Sequence, residues 1–307
     1  MLSRAILAVT LVLGLGITSP RAQEPSGPVQ RFRSAADVVT INASVRDARG
    51  RLISDLKATD FEVRDNGQLR PIISLRSDRD SPISLAILVD MSGSMKIGSK
   101  ISMARQAYKS VLSQLREGQD EAALFTFDAE LHQRQGFTHA LASLQDGLAE
   151  FEPFGTTSLY DATAATARQL AARSTTNRAI IVLTDGTDTS SAMTAAEVSG
   201  LASSIDVPVY VVATVPSVDQ RQMMESEGRP GADGADLRDL AYWTGGQFVF
   251  ASSFGETVVA ASTLVSELRQ KYLLAIEAAS DREWRRLDVR VRRPASVVKA
   301  RSGYFGG

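Results

Sequence analysis

Read for the period of its apolar positions, the chain divides into three stretches. From residue 37 to 80 the period is two. In "DVVTINASVRD", Val39, Ile41, Ala43 and Val45 fall on one face, as in a half-buried strand. "FEVRDNGQLRPIISL" places two strand-like runs around Asn66-Gly67, a strong hairpin signal. About forty residues of such strands cannot bury a core by themselves, so they need a partner elsewhere.

From Pro82 the pattern changes. "ISLAILVD" is continuously apolar, as expected of a strand buried on both faces. Ile101, Ala104, Tyr108, Val111, Leu112 and Leu115 then form a helical stripe. "EAALFTFD", "RAIIVLTD" and "VPVYVVAT" read as further strands, with "QFVFAS" after them. "LASLQDGLAEF", "TSLYDATAATARQLAA", "TAAEVSGLASSI", "DLRDLAYWTGG" and "GETVVAASTLVSELRQ" read as helices. Strands alternating with helices predict an α/β fold, a doubly wound, mostly parallel sheet with helices on both faces.

After Lys271 the period of two returns in "YLLAIEA", "RRLDVRVRR" and "VVKARSGYF". These are the natural partners of the strands at 37–80. The expectation is a small β-sandwich built from both ends of the chain, residues 37–80 and 271–307. The α/β domain, residues 82–270, is inserted between its halves. Ahead of them, Arg4, an apolar core from Ala5 to Ile17 and a small-residue segment ending at Ala22 have the layout of a secretory signal peptide over residues 1–22. Residues 23–36 are Pro-rich and polar and read as a linker. The expected location is exported, periplasmic or secreted, with no membrane span in the mature chain.

Composition narrows the chemistry. The 307 residues carry 34 basic and 35 acidic side chains, so no global basic field argues for nucleic acid. There is no cysteine, hence no disulfide and no thiolate metal site. His132 and His139 are the only histidines, so a zinc enzyme or a Ser-His-Asp hydrolase would have to be built from these two.

Ligands of open parallel sheets bind beyond the carboxyl ends of the strands. Three such ends carry acids and hydroxyls: "VDMSGSM" with Asp90, Ser92 and Ser94; "EPFGTTSLYDA" with Thr156, Thr157 and Ser158; and "VLTDGTDTSS" with Asp185 and Gly186. A phosphate cradle would not place two aspartates beside its anion, and no GxxxxGK[ST] is present. A phosphoaspartate enzyme would want a second carboxylate where Ser92 stands. No nucleophile elbow GxSxG occurs. A hard divalent cation, Mg²⁺ or Mn²⁺, fits carboxylate and hydroxyl oxygens best. If hydroxyls supply the direct ligands, the metal stays electron-poor and takes one more anionic oxygen from outside.

The chain resembles a von Willebrand factor type A domain with a metal-ion-dependent adhesion site. That family's pattern is DxSxS after the first strand, a threonine in a later loop and an aspartate in a TDG-like loop. Asp90, Ser92, Ser94, Thr157 and Asp185 match all five positions. Thr156 stands where the family often has glycine. The resemblance covers roughly residues 82–252. The flanks, "SVRDARGRLISDLKATDFEVRDNGQ" and "ARSGYF", look like an exported bacterial group related to the same family.

The resemblance implies metal-dependent protein binding without catalysis, in which a partner's Asp or Glu completes the coordination of Mg²⁺. It also implies, for some members, movement of the last helix, here about Glu256 to Gln270. Two alternatives stand beside this reading. One is a metal-assisted phosphohydrolase using the same pocket. The other is a structural envelope component whose metal site is vestigial. Asp128, Asp161 and Asp188 are expected to cap helices or support ligands. Trp243 is expected in the core and Trp284 over the sandwich. The polar loop at 216–234 either rims the site or is plain disorder.

Overall fold

The structure is a computed structural model, and it describes residues 38–77, 81–216 and 233–306. The signal-peptide and linker readings, and nearly all of the 216–234 loop, fall outside the described residues. At the centre stands a six-stranded sheet in the order β10-β9-β8-β5-β6-β7. Its strands are β5 (Ser84–Asp90), β6 (Glu121–Phe127), β7 (Leu131–Thr138), β8 (Arg178–Thr184), β9 (Val209–Thr214) and β10 (Phe248–Ala251). All pair in parallel except β7, which lies antiparallel on the β6 edge.

The continuous apolar run of β5 is explained by burial on both faces. Leu85, Ile87 and Val89 pack into a core with α1 (Lys100–Gln114) and α5 (Phe254–Arg269). Ala86 and Leu88, pointing the other way, join a second core with α2 (Leu159–Ala171), α3 (Ala195–Ser204) and α4 (Asp233–Trp243). Alternation therefore survives in direction but not in chemistry.

The period-two stretches form two four-stranded antiparallel sheets. One has the order β13-β1-β11-β4, the other β14-β12-β2-β3. Here β1 is Val38–Arg46, β2 Phe61–Asp65, β3 Gln68–Arg70 and β4 Ser74–Ser77 from the first part of the chain. β11 is Tyr272–Glu277, β12 Trp284–Val291, β13 Val297–Ala300 and β14 Gly303–Phe305 from the last. Val39 faces Ile276 and Ile41 faces Leu274, while Val63 faces Val289, so both sheets are stitched from both ends of the chain. Their inward faces share one core, including Ile41, Val45, Phe61, Val63, Tyr272, Leu274, Ile276, Leu287 and Tyr304. This is the expected sandwich.

Differences from the sequence expectations have local causes. "LASLQDGLAEF" is a short 3-10 turn, Leu141–Leu144, followed by further turns, not an α-helix. Leu141, Leu144 and Leu148 still reach the α1 side of the core. Gly147 sits where a Cβ would lie 2.6 Å from the end of the Leu124 side chain, so a larger residue there would make that leucine shift. The run after Asn66-Gly67 is two strands rather than one: Pro71 breaks it, and β4 pairs in the other sheet. "VVKARSGYF" likewise splits into β13 and β14, one in each sheet. Trp243 is half-buried rather than a core residue.

Candidate functional site

The central sheet reverses direction between β5 and β8. From β5 the chain winds outward to β6, then returns to β8, β9 and β10 on the other side. Loops leaving the two strands diverge there and open a crevice at the carboxyl edge. Asp90 is the last residue of β5, and Asp185 directly follows β8.

Asp90 is fully buried and both its oxygens accept hydrogen bonds. The Ser92 amide donates to Oδ1 at 2.8 Å, closing a local turn, and the Thr184 hydroxyl donates to Oδ2 at 2.6 Å. Burial raises its pKa from 3.8 to about 6. The Thr184 and Ser92 hydrogen bonds act against that rise, and the charge of Asp185 adds to it. The two carboxylates are thus close enough to feel one another. The Ser92 and Ser94 hydroxyls lie 3.1 Å apart at the start of a 3-10 turn, Gly93–Lys96.

The second loop is bound to the first through the backbone. Phe154 donates its amide to the Met91 carbonyl at 2.7 Å, and Gly93 donates to the Gly155 carbonyl at 3.0 Å. A Cβ on Gly93 would lie 3.3 Å from that carbonyl, so the close approach favours glycine. Thr157 is buried. Its amide donates to the Thr189 hydroxyl, and its carbonyl accepts from the Thr189 and Ser190 amides, which ties the second loop to the third. The Ser190 hydroxyl bonds both Ser158 and Thr156, so the Thr156 side chain is accommodated by the loop contact.

The third loop caps α2. Asp188 accepts from the Leu159 amide at 2.8 Å, and the Ser191 hydroxyl accepts from the Tyr160 and Asp161 amides. Asp161 in return accepts from the Ala192 and Met193 amides. Asp188 therefore caps α2, while Asp161 anchors the third loop ahead of α3 rather than capping a helix. Asp128 accepts from the Glu130 amide and lies 3.6 Å from His132. His139 bonds the Asp120 carbonyl, at the opposite edge of the sheet.

Asp185 is the least satisfied member. Its Oδ2 accepts from the Lys100 ammonium at 2.9 Å, while its Oδ1 is buried and has no hydrogen-bond partner in the protein. A buried carboxylate oxygen left without a donor is costly, and the common remedy is a water or a cation. Among the described residues no three His, Cys, Asp or Glu side chains gather as a metal cluster. Two carboxylates bordered by hydroxyls, with one orphaned oxygen, suit a hard cation that keeps some of its water. Thr184 and Lys100 went unnoticed in the sequence. Thr184 adjoins Asp185, but its contact with Asp90 spans 94 residues. Lys100 carries no local motif, and its contact with Asp185 spans 85 residues.

Residues 85–187 match the sequence model of the von Willebrand factor type A domain. No curated protein matches the chain. Several solved structures are similar at low identity. The conserved hypothetical protein BatB from Bacteroides thetaiotaomicron is 19% identical, over 61% of this chain and 98% of that one, with a TM-score of 0.48. The PilB minor pilin from Streptococcus sanguinis is 13% identical over 62% of each chain, with a TM-score of 0.48. Proximal thread matrix protein 1 from the mussel byssus, with a zinc-occupied MIDAS motif, is 15% identical over 66% of this chain and 49% of that one, with a TM-score of 0.49.

Proposed function

We propose that this chain, which carries a von Willebrand factor type A domain, is an exported module that binds a partner protein through a divalent cation. Mg²⁺ is the expected ion and Mn²⁺ a substitute. Asp90, Ser92, Ser94, Thr157 and Asp185 would hold it, within the domain assigned to residues 82–270. When bound, the ion supplies a Lewis-acidic centre that takes a carboxylate oxygen from an Asp or Glu of the partner.

The observation that carries this reading is the buried Oδ1 of Asp185, which has no protein partner beside a second buried carboxylate. Binding is preferred to catalysis because neither histidine stands ready as a base in the site: His132 lies against Asp128, and His139 bonds the Asp120 carbonyl at the opposite edge of the sheet. No helix among the described residues is long and apolar enough to cross a membrane.

The test is capture of a partner from an envelope extract in Mg²⁺ and in EDTA, with Asp90→Ala as control and calorimetric Mg²⁺ titration of each protein. Metal binding and capture should both vanish in the folded variant. Capture that persists in EDTA and in Asp90→Ala sinks the reading. Asp90-dependent turnover of phosphate esters would favour the phosphohydrolase instead.

A further inference from the structure

Lys100 is used by nothing in the function proposed above. It is the first residue of α1, where the exposed amides already carry partial positive charge, and an ammonium there is unfavourable for the helix. Its side chain is 12% exposed, and that of Asp185, which it contacts at 2.9 Å, is 2% exposed. Such a pair is shielded from water, so its charges act on their surroundings far more than a surface pair would. The contact takes Oδ2 of Asp185 and leaves Oδ1 pointing to no donor.

We infer that Lys100 is a fixed second cation of the site, sharing Asp185 with the divalent ion and making that ion selective for an anionic partner. The inference rests on the cation-binding reading above and deepens it. One carboxylate then serves two cations, one on each oxygen. Asp90 and Asp185 together with Lys100 leave one net negative charge at the site. A divalent cation arriving there keeps one positive charge unmatched, and only an anion from outside neutralises it. Metal and carboxylate therefore bind cooperatively: each raises the other's affinity by the same factor. Without Lys100 the two aspartates balance the ion alone. The metal then binds more tightly, and the demand for an outside carboxylate falls.

Mn²⁺, read by electron paramagnetic resonance of the free ion, is a direct probe, with acetate as the simplest carboxylate. Lys100→Met is expected to bind Mn²⁺ on the order of tenfold more tightly than the wild type. Acetate should tighten Mn²⁺ binding in the wild type and have little effect in the variant. Lys100→Arg, which keeps the charge, should behave as the wild type does. Should Lys100→Met not fold, Lys100→Gln carries the same expectation. Equal or weaker Mn²⁺ affinity in the neutral variant, or an undiminished acetate effect, overturns the role of Lys100. Asp90→Ala separates the two claims: if that variant binds Mn²⁺ as tightly as the wild type does, the cation-binding reading itself fails, whatever Lys100 does.

Discussion

Replacing Asp90 by Asn removes a charge that burial makes expensive. The carboxyl has a pKa of about 6 in the fold against 3.8 for the free side chain. At about 1.4 kcal/mol per pH unit, the ionised group costs the folded state ~3 kcal/mol. The sign follows from proton counting. Between about pH 4 and pH 6 the folded protein holds a proton that the unfolded chain has lost. Stability therefore falls as pH rises through this window, and the full cost is present above it.

The amide of Asn is isosteric, but it must turn its N–H₂ toward either the Ser92 amide or the Thr184 hydroxyl. The hydroxyl is the feasible side, since Thr184 Oγ1 already accepts from the Gly186 amide and has a second lone pair. That rearrangement costs about 1 kcal/mol. The net gain is ~2 kcal/mol, which at about 2–4 °C per kcal/mol raises Tm by roughly 4–8 °C. The assay is thermal unfolding by circular dichroism in EDTA, at pH near ~8 and near ~4.5, the two sides of the shifted pKa. At the lower pH the wild-type carboxyl is neutral and the advantage should disappear. A variant less stable than the wild type at the higher pH, or an advantage that persists on acidification, refutes the reasoning.

Further outcomes follow from contacts elsewhere. Gly246→Ala would drive a Cβ to 1.9 Å from the Val209 carbonyl oxygen, and the variant should lose about 3 kcal/mol or more, read from the urea midpoint. Glu267→Ala removes a fully buried acid that Arg46 and Lys299 hold at 2.6 and 3.1 Å; it should cost about 3 kcal/mol in the same assay. Asp188→Ala uncaps α2 and should cost about 1 kcal/mol. Because Ser158, just before α2, is joined to the third loop, the same change should also weaken Mn²⁺ binding several-fold, and unchanged affinity would show that the loops keep their places without the cap.

What the sequence disclosed depended on the range of the interactions involved. The doubly buried strands β5, β8 and β9 were legible because five consecutive apolar residues in each admit few other placements. The sandwich was legible because two unpaired sets of alternating residues need each other. The strand and loop ends that gather acids and hydroxyls could be read directly, but Asp90, Ser92, Ser94, Thr157 and Asp185 were singled out among them only by the family resemblance. Strand β7 escaped because "LHQRQGFT" is mostly polar and half-exposed, and only its pairing with β6 makes it a strand. The stretch from Leu141 reads as a helix because Leu141, Leu144 and Leu148 keep a helical spacing, yet a 3-10 turn followed by further turns also brings all three into the core. Thr184 and Lys100 were hidden for another reason. Their significance lies in partners 94 and 85 residues away, and no local pattern records such a contact.

The inserted arrangement has a mechanical consequence. The chain passes from the sandwich into β5 just before Ser84 and returns through α5 into β11 at Tyr272. Arg269, at the end of α5, holds Asp120, which bonds the Ile83 amide just before β5, so both junctions sit together at the amino edge of the central sheet. The loops of the candidate site lie at the other edge. Tension between an object gripped there and the sandwich would run along β5 rather than across it. Its hydrogen bonds to β6 and β8 would then be loaded together in shear, not opened one at a time.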